Sequence, residues 1–247
     1  MTLSDTSTWL PLDGLAPGFD ANKAPLTGDI DGRAFVLRDD AGGPGFTWDG
    51  TEAETFLVDD GLYYVQPHPG AAREAVSLIL DVRDGRALVV TTRIGDAGTP
   101  RVTQEFRPAT IDGAEVRGAA MAPSTALIGR RVVWVYSEDH AYEHVYLSPH
   151  WYTWQCLAGP ERGLADTDEN SVYQIRPGIH VFAWREKVIS CASVTIADHR
   201  NARALRSHGV LFGLDHTGED TTCFTFGAHG RLLSTTVHPA GLDPAEH

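Results

Sequence analysis

Three stretches of this chain recur at one spacing, 117 residues. Gly61-Leu62-Tyr63-Tyr64-Val65 matches Gly178-Ile179-His180-Val181-Phe182. Ala75 and Asp81 bracket an apolar run, as do Ala192 and Asp198. Asp84-Gly85-Arg86-Ala87-Leu88 matches Asn201-Ala202-Arg203-Ala204-Leu205. Each match is weak alone. A shared offset across three of them marks a duplicated structural unit. Ile30-Asp31-Gly32-Arg33 and Leu127-Ile128-Gly129-Arg130 add a further likeness, and Phe106 and Phe226 end comparable runs.

The repeated runs are short, rich in β-branched and aromatic residues, and separated by Gly, Asp and Pro turns. That pattern predicts strands. In the first half they are Ala34 to Leu37, Thr55 to Val58, Leu62 to Gln66, Ala75 to Val82, Ala87 to Arg93 and Thr103 to Phe106. In the second half they are Val132 to Tyr136, Glu143 to Leu147, Trp151 to Leu157, Ile179 to Trp184, Val188 to Ala197 and Thr221 to Phe226. No long amphipathic helix is visible. Short helical pieces are expected near Pro69 to Arg73 and Met121 to Thr125. The fold class is all-β: two tandem antiparallel units, residues 1–115 and 116–247, joined near Ala114 to Pro123.

Charge and composition bound the partners. The chain has 247 residues, 42% apolar and 21% charged, with a net charge of −13. Such a balance suits a globular protein with a sizeable core. It argues against nucleic acid and against an anionic membrane surface, both of which reward a basic face. The start of the chain lacks a signal-peptide pattern, so the expected compartment is the cytoplasm. A homo-oligomer is compatible with the sequence. Cys156, Cys191 and Cys223 follow no CxxC or disulfide spacing and read as reduced, packed thiols.

The two halves differ in chemistry. Tyr142 to Asp168 packs Tyr and Trp rings, His144, His150 and several carboxylates into one stretch, and Trp184-Arg185-Glu186-Lys187 follows. At the common offset Trp184-Arg185 falls on Pro67-His68, so the first half has no matching cluster. It offers only Phe46-Thr47-Trp48 to set beside Tyr152-Thr153-Trp154. Polar groups this dense on strands are costly to bury unless paired.

Strand parity offers two interior faces. In one, Tyr142, His144, Tyr146, Tyr152, Trp154, Phe182, Trp184 and Glu186 line a cavity, the apolar, aromatic profile of a small-molecule site. In the other, Glu143, Val145, Leu147, Val181, Ala183 and Arg185 face inward, with Glu143 paired to Arg185. The first is preferred, because so many rings are not left in water. Contact between the units would bury both faces. Gly159 to Gly163 and Ala165 to Asp168 read as a polar loop at the mouth. There Glu161, Asp166 and Asp168 serve either acid–base work or turn capping. His140, His144 and His150 match no zinc spacing, so no metal is expected. Gly42 to Phe46 reads as a hairpin loop rather than a phosphate cradle.

The runs Tyr142 to Leu147, Tyr152 to Leu157, Gly159, Glu161, Gly163, Asp166 to Asp168 and Trp184 to Lys187 resemble the molybdenum cofactor biosynthesis protein F (MoaF) family. So do Pro17-Gly18-Phe19 with Asn22, and Leu127 to Arg131 with Tyr136-Ser137. The resemblance covers nearly the whole chain. It implies lipocalin-like (calycin-like) β-barrel units and a link to a biosynthetic pathway, and leaves the chemistry open.

Three functions are in competition. In the first, an enzyme needing no organic cofactor acts on an aromatic or cyclic metabolite by decarboxylation, dehydration, isomerisation or cyclisation. Glu186 is its general acid/base, and Tyr142, Tyr152 and His144 orient groups and move protons. Tyr146, Trp154, Phe182, Trp184, Arg185, Lys187 and Glu143 bind the ligand. In the second, the protein carries a pterin or pathway intermediate by aromatic stacking. In the third, Trp184 to Lys187 is a salt-bridged packing corner between the units.

Overall fold

The computed structural model describes residues 9–39, 45–69 and 73–246. Its described strands form two antiparallel sheets. The first contains β1 (Phe35–Asp39), β2 (Phe46–Trp48), β3 (Ala53–Asp59), β4 (Leu62–Pro67), β5 (Glu74–Asp81), β6 (Arg86–Ile94) and β7 (Val102–Ile111). Its order is β2-β1-β7-β6-β5-β4-β3, and it stays open as a half-barrel.

The second contains the short β8 (Ala122–Pro123), then β9 (Arg130–Val135), β10 (Ala141–Tyr146), β11 (Trp151–Ala158), β12 (Ala165–Arg176), β13 (Ile179–Arg185), β14 (Cys191–Asp198), β15 (Leu205–Leu214) and β16 (Thr221–Thr235). Its order is β11-β10-β9-β16-β15-β14-β13-β12-β8. A further pairing of β11 with β12, from Trp151↔Glu169 to Gln155↔Ala165, closes β9 to β16 into an eight-stranded barrel. Closure removes the exposed edges that an open sheet must protect.

Burial follows strand parity. On β11, Tyr152, Trp154 and Cys156 point inward while Trp151, Gln155 and Leu157 stay exposed. On β13 both faces are buried. His180, Phe182 and Trp184 face the barrel interior. Val181 and Ala183 pack against the first sheet together with Val194, Ile196 and Val210, meeting Phe56, Leu62, Tyr64, Ile79, Leu88 and Val90. Polar contacts fix this junction. Tyr64 Oη donates to Val194 O at 3.1 Å. Arg176 donates to both oxygens of Asp81 at 2.8 Å and to Asp59 Oδ2 at 3.0 Å. Gly61 and Gly178 hold the matching β3–β4 and β12–β13 turns at φ 62° and 78°, a conformation that glycine adopts without a Cβ clash.

The chain ahead of the first sheet does not stay with it. A single helical turn, α1 (Leu12–Leu15), lies between Trp9 and Phe19. Leu12, Leu15 and Phe19 are buried in the barrel's own core. Phe19 lies 4.4 Å from the Tyr136 ring and edge-on to Phe226 at 5.8 Å.

Several expectations are corrected. Met121 to Thr125 is not helical but carries the short β8. Residues 70–72 of the other expected helix, and most of the Gly42 to Phe46 loop, lie outside the described residues. Ala165 to Asp168 is not a mouth loop but the start of β12. Among the described residues no helix is long and apolar enough to cross a membrane.

Candidate functional site

The barrel interior holds a cavity under the Trp9–Phe19 segment. Tyr142 and His144 reach it from β10, Tyr152 and Trp154 from β11, Trp184 from β13 and Cys191 from β14. Glu186 and Ile189 enter from the β13–β14 connection and Glu161 from the β11–β12 connection. Trp9, Leu15 and Phe19 form the roof. The unfilled space is small, about 40 Å³, room for a few water molecules.

Three carboxylates are held by aromatic donors of the wall. Tyr142 Oη donates to Glu161 Oε2 at 2.9 Å, and Leu10 N to Glu161 Oε1 at 3.3 Å. Trp154 Nε1 donates to Asp168 Oδ2 at 2.8 Å, and the backbone N of Lys187 to Asp168 Oδ1 at 3.1 Å. Trp184 Nε1 donates to Glu186 Oε1 at 2.9 Å. Asp168 stands behind the Trp154 indole and is fully buried.

Burial sets the protonation pattern. It lifts the Asp168 carboxyl to about 6, helped by nearby Asp166. Glu186 is pushed well above the usual carboxylate range, first by burial and then by the Asp168 charge. The charge of one carboxylate opposes ionisation of the other, which favours the protonated form of Glu186. Glu161 is raised by burial as well. Burial pushes His144 down to about 3, so its imidazole is neutral. Its Nδ1 is buried without a hydrogen-bond partner among the described residues. The phenols of Tyr142 and Tyr152 are pushed up, again by burial first. The Cys156 and Cys191 thiols are raised likewise, which keeps them un-ionised and poor nucleophiles.

Not every expected site residue reaches the cavity. Tyr146 and Phe182 pack deeper in the barrel, their rings 5.0 Å apart, with Phe182 5.8 Å from His144. Arg185 points away, toward the first sheet, donating to Gln104 Oε1 at 3.0 Å and pairing with Glu169 at 3.3 Å. Lys187 ion-pairs with Asp166 at 2.7 Å. Glu143 lies on the opposite face of β10 and pairs with Arg131, not Arg185. Among the described residues no lysine or arginine lines the cavity.

This geometry lies within a matched family. A model of the MoaF C-terminal domain matches residues 121–236, and one of the MoaF N-terminal domain matches residues 7–96. The chain belongs to the MoaF family. Protein MoaF of Klebsiella aerogenes is 38% identical over 116 residues, which are 46% of this chain and 42% of that protein. The chain thus spans about two fifths of the curated relative it matches. Likenesses to solved structures are weak. A putative β-lactamase from Burkholderia vietnamiensis has a TM-score of 0.35 at 13% identity, covering 43% of this chain and 95% of that one. A DUF3598-family protein of unknown function from Nostoc punctiforme has a TM-score of 0.34 at 11% identity, covering 77% of this chain and 80% of that one.

Within this MoaF-family chain, sequence reasoning misses the roof and places Asp168, one of its acid–base candidates, in a loop rather than on a strand. Trp9, Leu15 and Phe19 come from more than 100 residues upstream of β10, and no local pattern ties them to it. Asp168 reads as loop because Ala165-Asp166-Thr167-Asp168-Glu169-Asn170 is poor in strand formers. The alternation of Asp168, Asn170 and Val172, all buried, was the available signal.

Proposed function

We propose that the closed barrel takes up a small aromatic or cyclic metabolite of a biosynthetic pathway and transforms it by acid–base chemistry, without an organic cofactor. The reaction class is that of a lyase or isomerase: decarboxylation, dehydration, isomerisation or cyclisation. The family's name links it to molybdenum cofactor biosynthesis. The supporting observation is the placement of two carboxyls, Asp168 and Glu186, each on an indole N–H of the aromatic wall that also carries His144, with burial raising both carboxyls and keeping the imidazole neutral. A carboxyl group that keeps its proton near pH 7 is a general acid, and a neutral imidazole accepts or relays a proton. Glu186 takes the first role, His144 the second, and Tyr142 and Tyr152 orient the substrate.

A carrier is the second reading, favoured by the roofed, nearly filled cavity. A binder needs only to enclose its ligand, and aromatic stacking serves that. Protein purified from its host and examined by native mass spectrometry distinguishes the two. Catalysis is expected to convert the retained compound during incubation, and Glu186→Gln to bind it but convert it at least about 100-fold more slowly. Unaltered recovery of the compound after long incubation favours the carrier. Unchanged turnover in Glu186→Gln removes the assigned acid.

A further inference from the structure

The cavity is too small for a ring. A cavity of about 150 Å³ takes up benzene. This one has about 40 Å³ free. Admitting a ring-sized ligand therefore requires part of the lining to move. The wall strands are hydrogen-bonded to neighbours on both sides in a closed barrel and cannot part without breaking ladders. The Trp9–Phe19 roof is held differently. Among the described residues only two hydrogen bonds tie it to the rest of the chain. Leu10 N donates to Glu161 Oε1 at 3.3 Å, and His216 Nδ1 pairs with Asp13 Oδ2 at 2.6 Å. The second is exposed, where such a pair contributes little. The remaining hydrogen bonds of the roof are internal: Leu15 N to Pro11 O, Ala16 N to Leu12 O and Phe19 N to Ala16 O. Firm anchorage begins at Asn22. Its backbone N donates to Tyr136 O, its side-chain amide to Val135 O, and its carbonyl accepts from Arg206 Nη2. Gly18, at φ 77°, precedes that anchor. An open cleft of about 530 Å³ lined by Asp13, Ala16, Pro17 and Gly18 leaves the segment room to move.

The roof also makes the contacts that an aromatic ligand would make. Trp9 stands edge-on to Trp154 at 5.3 Å, and Phe19 lies 6.0 Å from the Tyr142 ring. From this we infer that the Trp9–Phe19 segment is a lid that occupies the ligand's place with its own rings, and that it swings out between Gly18 and Asn22 to admit a small molecule. The inference rests on the reading that the cavity takes up a small molecule, and adds how that molecule enters. Glu161 is the positioning residue of the lid. One of its oxygens accepts from Tyr142 in the wall and the other from Leu10 in the roof, so it joins the two across the mouth. Leu12, Leu15 and Phe19 are buried beneath the segment, and their burial favours the closed state. A ring entering the site offsets that loss by covering the same wall.

Cys191 reports the lid. It lines the cavity and is 1% exposed, so iodoacetamide reaches it only through an opening. The full chain is labelled in graded urea below its unfolding transition, and modification of Cys191 is read by site-resolved mass spectrometry. A lid predicts reaction through a local opening, at a rate nearly independent of urea, because little surface is exposed. Glu161→Ala is expected to speed the labelling at least about tenfold. Leu12→Ala, which loosens the roof without touching Glu161, is expected to do the same. Glu161→Gln keeps an acceptor for Leu10 and a hydrogen bond to Tyr142, and is expected to stay close to wild type. Labelling that proceeds only through global unfolding, with the steep urea dependence of the whole fold, overturns the inference. An opening that both Glu161→Ala and Leu12→Ala leave unchanged is not in the roof and overturns it as well. The urea dependence of the wild type needs no variant to fold. The small-molecule reading fails separately, when protein purified from its host retains no compound, whatever the labelling shows.

Discussion

The open sheet and the closed barrel have one plan. The order β2-β1-β7-β6-β5-β4-β3 in the first corresponds strand for strand to β10-β9-β16-β15-β14-β13-β12 in the second. Positions 117 apart keep their facing. Leu62 and Ile179, Tyr64 and Val181, and Ile79 and Ile196 all lie in the contact between the sheets. The two copies thus meet through equivalent faces, as subunits do across a two-fold axis. Apart from the two-residue β8, the difference is one strand. Only the second has β11, and β11 reaches β12. Without it, the inner face of the first sheet fills its own hollow with Phe35, Leu37, Trp48, Val65, Leu78 and Val89. With it, the second encloses an interior in which His144, Asp168 and His180 are buried. One added strand separates a solid core from a chamber.

Acid should break this pairing most strongly. His144, His180, His199 and His208 are held neutral by burial, at about 3, 4, 3 and 4. All four lie in the barrel half, while His68, just past β4 of the first sheet, is exposed. Their folded values lie below the unfolded one, so the stability they allow is intact above about pH 6.5 and lost as pH falls below it. Each costs up to about 1.4 kcal/mol per pH unit. Protonation of Asp168 and Glu186 offsets part of that. Denaturant titrations from pH 7 to 5 are expected to show a loss of several kcal/mol. Hydrogen exchange should place it in the barrel first. Equal loss in both sheets would mean that they unfold as one.

The junction gives the next largest effect. Arg176→Ala leaves Asp81 buried and unpaired, and is expected to cost about 3–5 kcal/mol. One shifted transition would tie the sheets into a single cooperative unit, and two would separate them. Phe19→Ala empties part of the barrel mouth and should cost about 3 kcal/mol. It should also raise acrylamide quenching of Trp154 and Trp184, a gain that no equivalent truncation in the first sheet would produce. Smallest is Asp168→Asn. The wild-type carboxyl, raised to about 6, favours folding below its unfolded value near 4 and loses that advantage as pH rises through 6. Removing its charge is therefore expected to stabilise the protein at pH 8 by about 2 kcal/mol and to do nothing at pH 4.

Local pattern carried most of the strands and the inward face of β10, β11 and β13, because period-two alternation is written residue by residue. It also carried the duplication. What it missed depends on pairing at a distance. Phe46-Thr47-Trp48 looks like Tyr152-Thr153-Trp154, yet β2 corresponds by neighbours to β10, not β11. Arg185 has outward parity opposite Trp184, and its partners Gln104 and Glu169 are fixed only once the sheets meet. Lys187 lies past the last residue of β13, where alternation no longer applies, and Asp166 draws its side chain aside. Asp168 reads as loop because strand propensity weighs its polarity and not the indole that satisfies it.

The Trp9–Phe19 segment ties chain order to assembly. It lies in the barrel mouth, yet the whole first sheet separates it in sequence from the strands it roofs. Cutting the chain between the sheets would give one fragment with an unattached stopper and another with an uncorked vessel. During synthesis the stopper emerges before the vessel exists, so these apolar side chains must wait for the last strand of the barrel before they have a place to go.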